Sequence, residues 1–436
     1  MAAYGQPTNP MLRARFRLTR VYMGTALVFM LSAWLVMITA ARPLAQGQMW
    51  APSILGATHF FVLGYVLMTI QGAIMQITPV VFQGRLYSIS LGYVQYVLMV
   101  LGSAGMGTSF LLGWTGGLGI FGSLILLALL LLFWNLARTL QQVQKKRDAL
   151  RVLGAGIFLL WTVLLGLSFV AHGFISATVQ SLMMHVTSGV VGGFTTLIVL
   201  LSPRLMTFFV SSRHKSTERF IRRSEGLLYL GLIFILSSPI LEAGASGANL
   251  GLGAWTVIGR LGWVIYLAGY ALVLYRLYRH VQGRRRPQME WILAWILGGL
   301  FGGWPLLGLW ALAGQNGFQP PYGAGLLLFV FGYVQWMVAA YMAKIMPFLR
   351  WMSRFDPTIN PAIREKPRVT LPSMRAVMPK GLTIASLLAF LLGASGLSAG
   401  HLLAHATLAA IGALLGSLGS VCLILAVAIM YRRTRV

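Results

Sequence analysis

Long apolar runs separated by short charged or glycine- and proline-marked intervals fill the chain from end to end. A membrane-crossing helix needs about 20 mostly apolar residues. By that measure the pattern predicts twelve helices, near 21–41, 52–82, 87–112, 117–140, 152–174, 177–203, 225–241, 253–276, 289–313, 323–347, 380–398 and 400–430. The first run follows Arg13, Arg15, Arg17 and Arg20, as a signal peptide would. It is longer than a signal h-region, and Pro43 follows without a small-x-small site, so it reads as a retained span. No polar interval is long enough for a separate soluble domain. The expected fold is an all-α polytopic membrane bundle, a single membrane domain over 1–436, with a basic N-terminal segment at 1–20 and a cytoplasmic loop at 348–380.

Composition supports this reading. The chain is 58% hydrophobic and 9% charged, whereas soluble domains carry about 25% charged residues. The net charge of +27 is explained by topology, because Lys and Arg collect on the cytoplasmic side of membrane proteins. With the N-terminus inside, all but Arg42 and Arg260 of the 34 Lys and Arg residues fall on the inner side, while 241–252 and 314–322 are almost uncharged. This arrangement predicts a multi-pass protein of a prokaryotic-type inner membrane with both termini cytoplasmic. The bilayer is its partner, anionic lipid assists, and no nucleic acid is needed to account for the charge. Cys422 is the sole cysteine, which excludes an internal disulfide and a Cys-rich metal site.

An internal repeat is visible. Helix two contains GYVLMTIQGAIMQITPVVF from Gly64, and helix ten contains GYVQWMVAAYMAKIMPFLR from Gly332. Pro79 and Pro347 each follow the glycine by fifteen residues, and helix six ends similarly in VLLSPRLMTFF around Pro203. Helices two, six and ten are four apart, which predicts three four-helix units.

Ionisable groups inside a bilayer are costly and mark candidate sites. His214 and His280 fall in basic inner loops. The other five of the seven histidines, His59, His172, His185, His401 and His405, fall in the outer portions of their helices. His59 lies 20 residues before Pro79 and His185 lies 18 before Pro203, so their depths nearly match. His185, Gly189 and Gly192 share a helical face, as do His405, Gly412 and Gly416. An imidazole beside small residues suits a haem, whose flat macrocycle can lie against backbone. Ordinary packing of small residues accounts for the same spacing. His401 and His405 are i,i+4, a spacing that can put two imidazoles on one metal. Arg260, between Trp255 and Trp263, can meet a haem propionate, pair with Glu242, or snorkel to the headgroups.

The acids, Asp148, Glu218, Glu225, Glu242, Glu290, Asp356 and Glu365, lie in loops or at helix ends, and none is near mid-membrane. FQGRLYS (82–88) lacks the Asp of the major-facilitator signature, and no Walker, nucleophile-elbow or HExxH motif occurs.

Twelve spans, with equivalent helices two, six and ten and histidines in the outer half, resemble the haem–copper oxidase subunit I superfamily, whose fold is three arcs of four helices. The segments ATHFFVLGYVLMTIQGAIMQITPVVF and GYVQWMVAAYMAKIMPFLRWMSRF are also similar to small oxidase-like and NnrS-type haem proteins. The resemblance implies that His59 matches the helix-two low-spin haem ligand and that His185 falls on the helix carrying a copper ligand. Helix ten has no histidine, helix seven has no His-His pair, and helix six lacks His-Pro-Glu-Val-Tyr. Oxygen or nitric oxide reduction at the usual binuclear centre is therefore not expected.

The leading expectation is a membrane protein holding b-type haem near the outer face, in electron transfer or in gas or haem handling, with a respiratory-chain protein or quinone as partner. Its ligands would be His59 and His185, with His405 in reserve and Arg260 on the propionates. Copper at His59, His185, His401 or His405 is the lesser cofactor expectation. The alternatives are a twelve-helix permease for a small solute, or a non-catalytic assembly partner of a respiratory complex.

Overall fold

The computed structural model describes residues 9–81, 85–143, 146–175, 177–246, 253–285, 287–314, 319–355 and 376–434. The protein is an all-α polytopic membrane bundle, 88% helical and without strands among those residues. Among the described residues the twelve long helices are α1 (Asn9–Thr39), α2 (Pro52–His59, Phe60–Leu67 and Met68–Val81 in succession), α3 (Ile89–Leu112), α4 (Thr115–Leu140), α5 (Lys146–Ala171) and α6 (Val179–Thr187, Ser188–Thr195 and Thr196–Val210). They continue with α7 (Glu218–Ser246), α8 (Gly253–Gln282), α9 (Trp291–Ala313), α10 (Pro320–Leu327, Leu328–Val334 and Gln335–Phe355), α11 (Lys380–Leu402) and α12 (Ala406–Arg433). Among the described residues, eleven of these are long and apolar enough to cross a membrane; α7 falls outside that count, and its side chains beyond residue 240 are not described.

Local chemistry sets several boundaries. The Ser88 hydroxyl accepts the Leu91 N–H at the start of α3, and Thr178 accepts from Ser181 at the start of α6, which satisfies donors that have no partner inside the helix. Pro52 and Pro320 occupy first-turn positions, where a missing N–H costs nothing. Gly113 closes α3 at φ 64°, a left-handed conformation that glycine adopts without strain. The final helix of the loop region differs from expectation: α10 runs on to Phe355, so only 356–375 of the expected 348–380 loop lies outside the described residues.

Contacts divide the chain into two compact units, residues 1–145 with 335–436, and residues 146–334. In the first, α11 and α12 form a hairpin with backbones in close approach. A Cβ on Gly412 would stand 2.5 Å from Leu397 N, and one on Gly400 would stand 2.5 Å from Ala409 N. Asn135 of α4 holds the start of α3, its Oδ1 accepting the Ser88 N–H at 3.1 Å and its Nδ2 donating to Ser88 O at 2.8 Å. In the second unit α7 and α8 pair in the same close manner, with a Cβ on Gly231 falling 2.5 Å from Tyr266 N. Small residues let helices approach where lipid supplies no hydrophobic drive.

The repeat has a backbone counterpart. Each of α2, α6 and α10 carries a π-helical stretch, at Phe60–Leu67, Ser188–Thr195 and Leu328–Val334. Aligned on these stretches, FFVLGYVL, SGVVGGFT and LFVFGYVQ share a Val and, two residues on, a Gly: Val62 and Gly64, Val190 and Gly192, Val330 and Gly332. Within each unit the preceding helix packs an aromatic–glycine contact there. A Cβ on Gly64 would meet Phe29 of α1 at 2.3 Å, and one on Gly192 would meet Phe158 of α5 at 2.8 Å. In α10 the roles reverse, and Tyr333 lies against Gly303 of α9, where a Cβ would be 2.1 Å from its ring. These three helices are also the most buried, with 61%, 83% and 78% of their apolar stretches buried, against 28% to 50% for the other spans.

Candidate functional site

His59 is the last residue of the first α-helical part of α2, immediately before the π stretch. Its Nδ1 lies 2.7 Å from Leu55 O. A carbonyl only accepts, so Nδ1 carries the proton and Nε2 keeps its lone pair. The ring stacks on Phe110 of α3, centroids 4.3 Å apart, and α2 meets α3 tightly beside it: a Cβ on Gly107 would be 2.4 Å from Phe60. A half-buried imidazole fixed through Nδ1 by a backbone carbonyl is the usual arrangement of a metal-ligating histidine.

The other expected ligands lie in different surroundings. His185 is in the second unit, one turn before the π stretch of α6, with its ring 5.8 Å from that of Phe169. The expected face of His185, Gly189 and Gly192 exists, and α5 fills it. His185 Cε1 is where a Cβ on Gly166 would come to 3.2 Å, Thr162 lies over Gly189, and Phe158 lies over Gly192. The glycines after His405 are likewise occupied, Gly412 by the α11 backbone and Gly416 by the Trp34 ring. The flat surfaces read from the spacing are helix-packing surfaces.

His401 and His405 do not share a helix, contrary to the i,i+4 reading. α11 extends to Leu402 rather than ending near 398, and a turn through Ala404 at φ 53° separates the two histidines. The buried His401 holds Leu44 O at 2.8 Å through Nδ1, tying α11 to the short helix Ala41–Ala45. His405 is exposed, and its Nδ1 accepts the Leu408 N–H at 3.2 Å as the N-cap of α12. Arg260 is exposed on α8, and its suggested partner Glu242 has a side chain outside the described residues. Among the described residues no group of three or more His, Cys, Asp or Glu converges for a metal.

Two features escaped sequence reading. Several polar groups in the second unit's interior satisfy one another. Thr195 and Thr196 turn back to Val190 O and Val191 O at 2.7 Å within the π stretch, and Thr196 Oγ1 also meets Tyr266 OH at 3.0 Å. Tyr270 OH donates to Leu300 O at 2.9 Å and stands 3.0 Å from Tyr333 OH. In the first unit the fully buried Gln71 and Gln95 each have no hydrogen-bond partner for either Oε1 or Nε2. Tyrosine and threonine are common in spans, so only their alignment across helices, invisible in one sequence, marks the network.

No protein-family model matches the chain, and no curated protein matches it.

Proposed function

We propose that this multi-pass membrane protein binds a b-type haem through His59, near the outer face of an inner membrane with both termini cytoplasmic, and that it works in gas handling or electron transfer. The observation that carries this reading is the state of His59: Nδ1 bound to Leu55 O, ring held on Phe110, and Nε2 left with its lone pair. A haem held there would supply one-electron iron chemistry and, with a single protein ligand, an open position for a gas. Leu55 sets the imidazole tautomer, and Phe110 sets the plane of the ring. His405 does not fit as a second ligand in its capping state, because its Nδ1 lone pair is used and Nε2 carries the proton.

The test is the absorption spectrum of purified, detergent-solubilised protein, oxidised and reduced, with a pyridine haemochrome assay. Near-stoichiometric haem, lost in His59→Ala and retained in His405→Ala, is the expected result. Colourless protein from haem-replete cells, or unchanged haem in His59→Ala, refutes the reading. A second reading, a permease for a small polar solute, draws on Gln71, since a buried carboxamide lacking partners is costly unless something polar visits it. Colourless protein whose solute uptake is lost in Gln71→Leu favours it.

A further inference from the structure

Arg15 of α1 is a buried cation with no counter-charge among the described residues of its unit. It is 9% exposed, its Nε has no hydrogen-bond partner, and its guanidinium lies 5.5 Å from the ring of the adjacent Phe16. Residues 1–147 contain no Asp or Glu, and the two acids of 335–436, Asp356 and Glu365, lie outside the described residues. Arginine keeps its charge, and every guanidinium nitrogen is a donor with no lone pair to offer. A buried charge of this kind is costly unless an opposite charge meets it.

Arg15, Leu18, Thr19 and Tyr22 share one face of α1, and that face packs between α2 and α3. A Cβ on Gly72 of α2 would stand 2.8 Å from Tyr22 and 3.4 Å from Thr19 O, and one on Gly92 of α3 would stand 2.6 Å from Leu18. Tyr22 OH donates to Gly92 O at 3.2 Å. α1 and α2 run antiparallel, Phe29 meeting Gly64 as Tyr22 meets Gly72. One turn past Gly72, Gln76 therefore comes to within about a turn of the depth of Arg15. Thr78, Thr139, Thr162 and Thr207 return their hydroxyls to the carbonyl four residues back. Thr19 does not, and its fully buried Oγ1 is left without a partner beside Arg15. Gln76 is also buried with Oε1 unpartnered, and turning its carboxamide over presents Nε2 in that place.

We propose that Arg15, Thr19 and Gln76 bind a singly charged oxyanion group at the end of the seam between α1, α2 and α3. One guanidinium with no carboxylate beside it balances one negative charge, and its planar fork takes two oxygens at once. The Thr19 hydroxyl and the Gln76 amide supply further donors. Arg15 is the second residue of the apolar stretch Ala14–Thr39, the depth at which a span meets lipid head groups. The phosphodiester of an acidic phospholipid and free dihydrogen phosphate present the same chemistry.

The test uses the full chain, delipidated in detergent at fixed ionic strength, and follows its thermal unfolding midpoint. The additions are phosphatidylglycerol, phosphatidylcholine, or inorganic phosphate at a pH where it is singly charged. Phosphatidylglycerol or phosphate is expected to raise the midpoint, and zwitterionic phosphatidylcholine is not. Arg15→Gln should abolish the response and raise the midpoint of the ligand-free protein, because it removes an unpaired buried charge; loss of a residue that only packs would lower it. Thr19→Val should weaken the apparent affinity about tenfold, the scale of one hydrogen bond to a charged group. Arg432→Gln, at the end of α12, should leave it unchanged. A response to phosphatidylglycerol alone assigns the group to lipid, and saturation by phosphate without lipid assigns it to a free anion. No response to either, an unaltered response or a lowered ligand-free midpoint in Arg15→Gln, or an equal loss of affinity in Arg432→Gln overturns the proposal. So does a fall in the ligand-free midpoint in Asp356→Asn or Glu365→Gln that vanishes in the Arg15→Gln background, since the counter-charge then belongs to the chain. If Arg15→Gln does not fold, Thr19→Val decides, and unchanged affinity there overturns the proposal.

Discussion

Gly64→Ala tests whether the glycine of the π stretch is fixed by the aromatic ring opposite it. The new Cβ would lie 2.3, 2.6 and 2.7 Å from Cγ, Cδ1 and Cβ of Phe29. These atoms are at the root of the side chain, so rotation of the ring cannot clear them, and α1 and α2 must separate. Overpacking of this kind costs about 1–3 kcal/mol, while replacing a helical glycine returns about 0.8–1.0 kcal/mol. The net expectation is a loss of up to about 2 kcal/mol. In a Phe29→Gly background all three obstructing atoms are gone, so Gly64→Ala should stabilise by about 1 kcal/mol. The cycle therefore predicts a coupling of about 1–3 kcal/mol, within the range for residues in contact. Reversible unfolding in mixed detergent micelles, followed by tryptophan fluorescence, measures all four proteins. If Gly64→Ala stabilises the native background as much as it stabilises Phe29→Gly, the packing account of the repeat is wrong.

Two further substitutions probe the helix ends. Glu225→Gln leaves Arg151 and Arg276 buried without their carboxylate, and breaking a buried pair from one side costs about 3–5 kcal/mol. A large fall in unfolding midpoint is expected, with Glu225→Asp intermediate, and an unchanged midpoint would show that the cluster is screened like a surface pair. His405→Ala removes the α12 cap and should cost about 0.5–2 kcal/mol. His405→Asp should restore the loss, and a failure to do so would mean that His405 matters for something other than capping.

The spans were legible in the sequence because apolar length is a one-dimensional property, and eleven of the twelve expected segments reappear among the described spans. The boundary between α11 and α12 was misjudged for a physical reason. Apart from His401, residues 396–404 are small or apolar, and the turn is made by Ala404 rather than by a glycine or proline that would announce it. The pairing of helices two, six and ten was legible from Gly-Tyr-Val and the prolines, yet the helix-six proline was the wrong anchor. Pro79 and Pro347 follow the shared glycine by fifteen residues, and Pro203 follows Gly192 by eleven, one helical turn fewer. The glycine faces beside His185 and His405 had the periodicity of a ligand surface and of a packing surface alike. Which of the two they are depends on the neighbouring helix, and a single sequence does not supply that neighbour.

The divergence among the three π stretches is the reason the proposed site is placed on α2. A π stretch displaces backbone carbonyls from regular pairing and recurs at functional sites. In α6 the threonine hydroxyls at 195 and 196 return to the carbonyls five residues back. In the same register α10 places Gln335 and Trp336, and α2 places Leu67 and Met68, which have no hydroxyl to return. The residue just before the stretch is Thr187 in α6, Leu327 in α10 and His59 in α2. Only the α2 copy therefore combines an interrupted backbone, no hydroxyl to close it, and an imidazole whose Nδ1 is already engaged. Moving it makes the argument testable: in a Thr187→His, His59→Thr double variant, any haem bound should disappear if α2 carries the site, and persist if the π stretch itself is what matters.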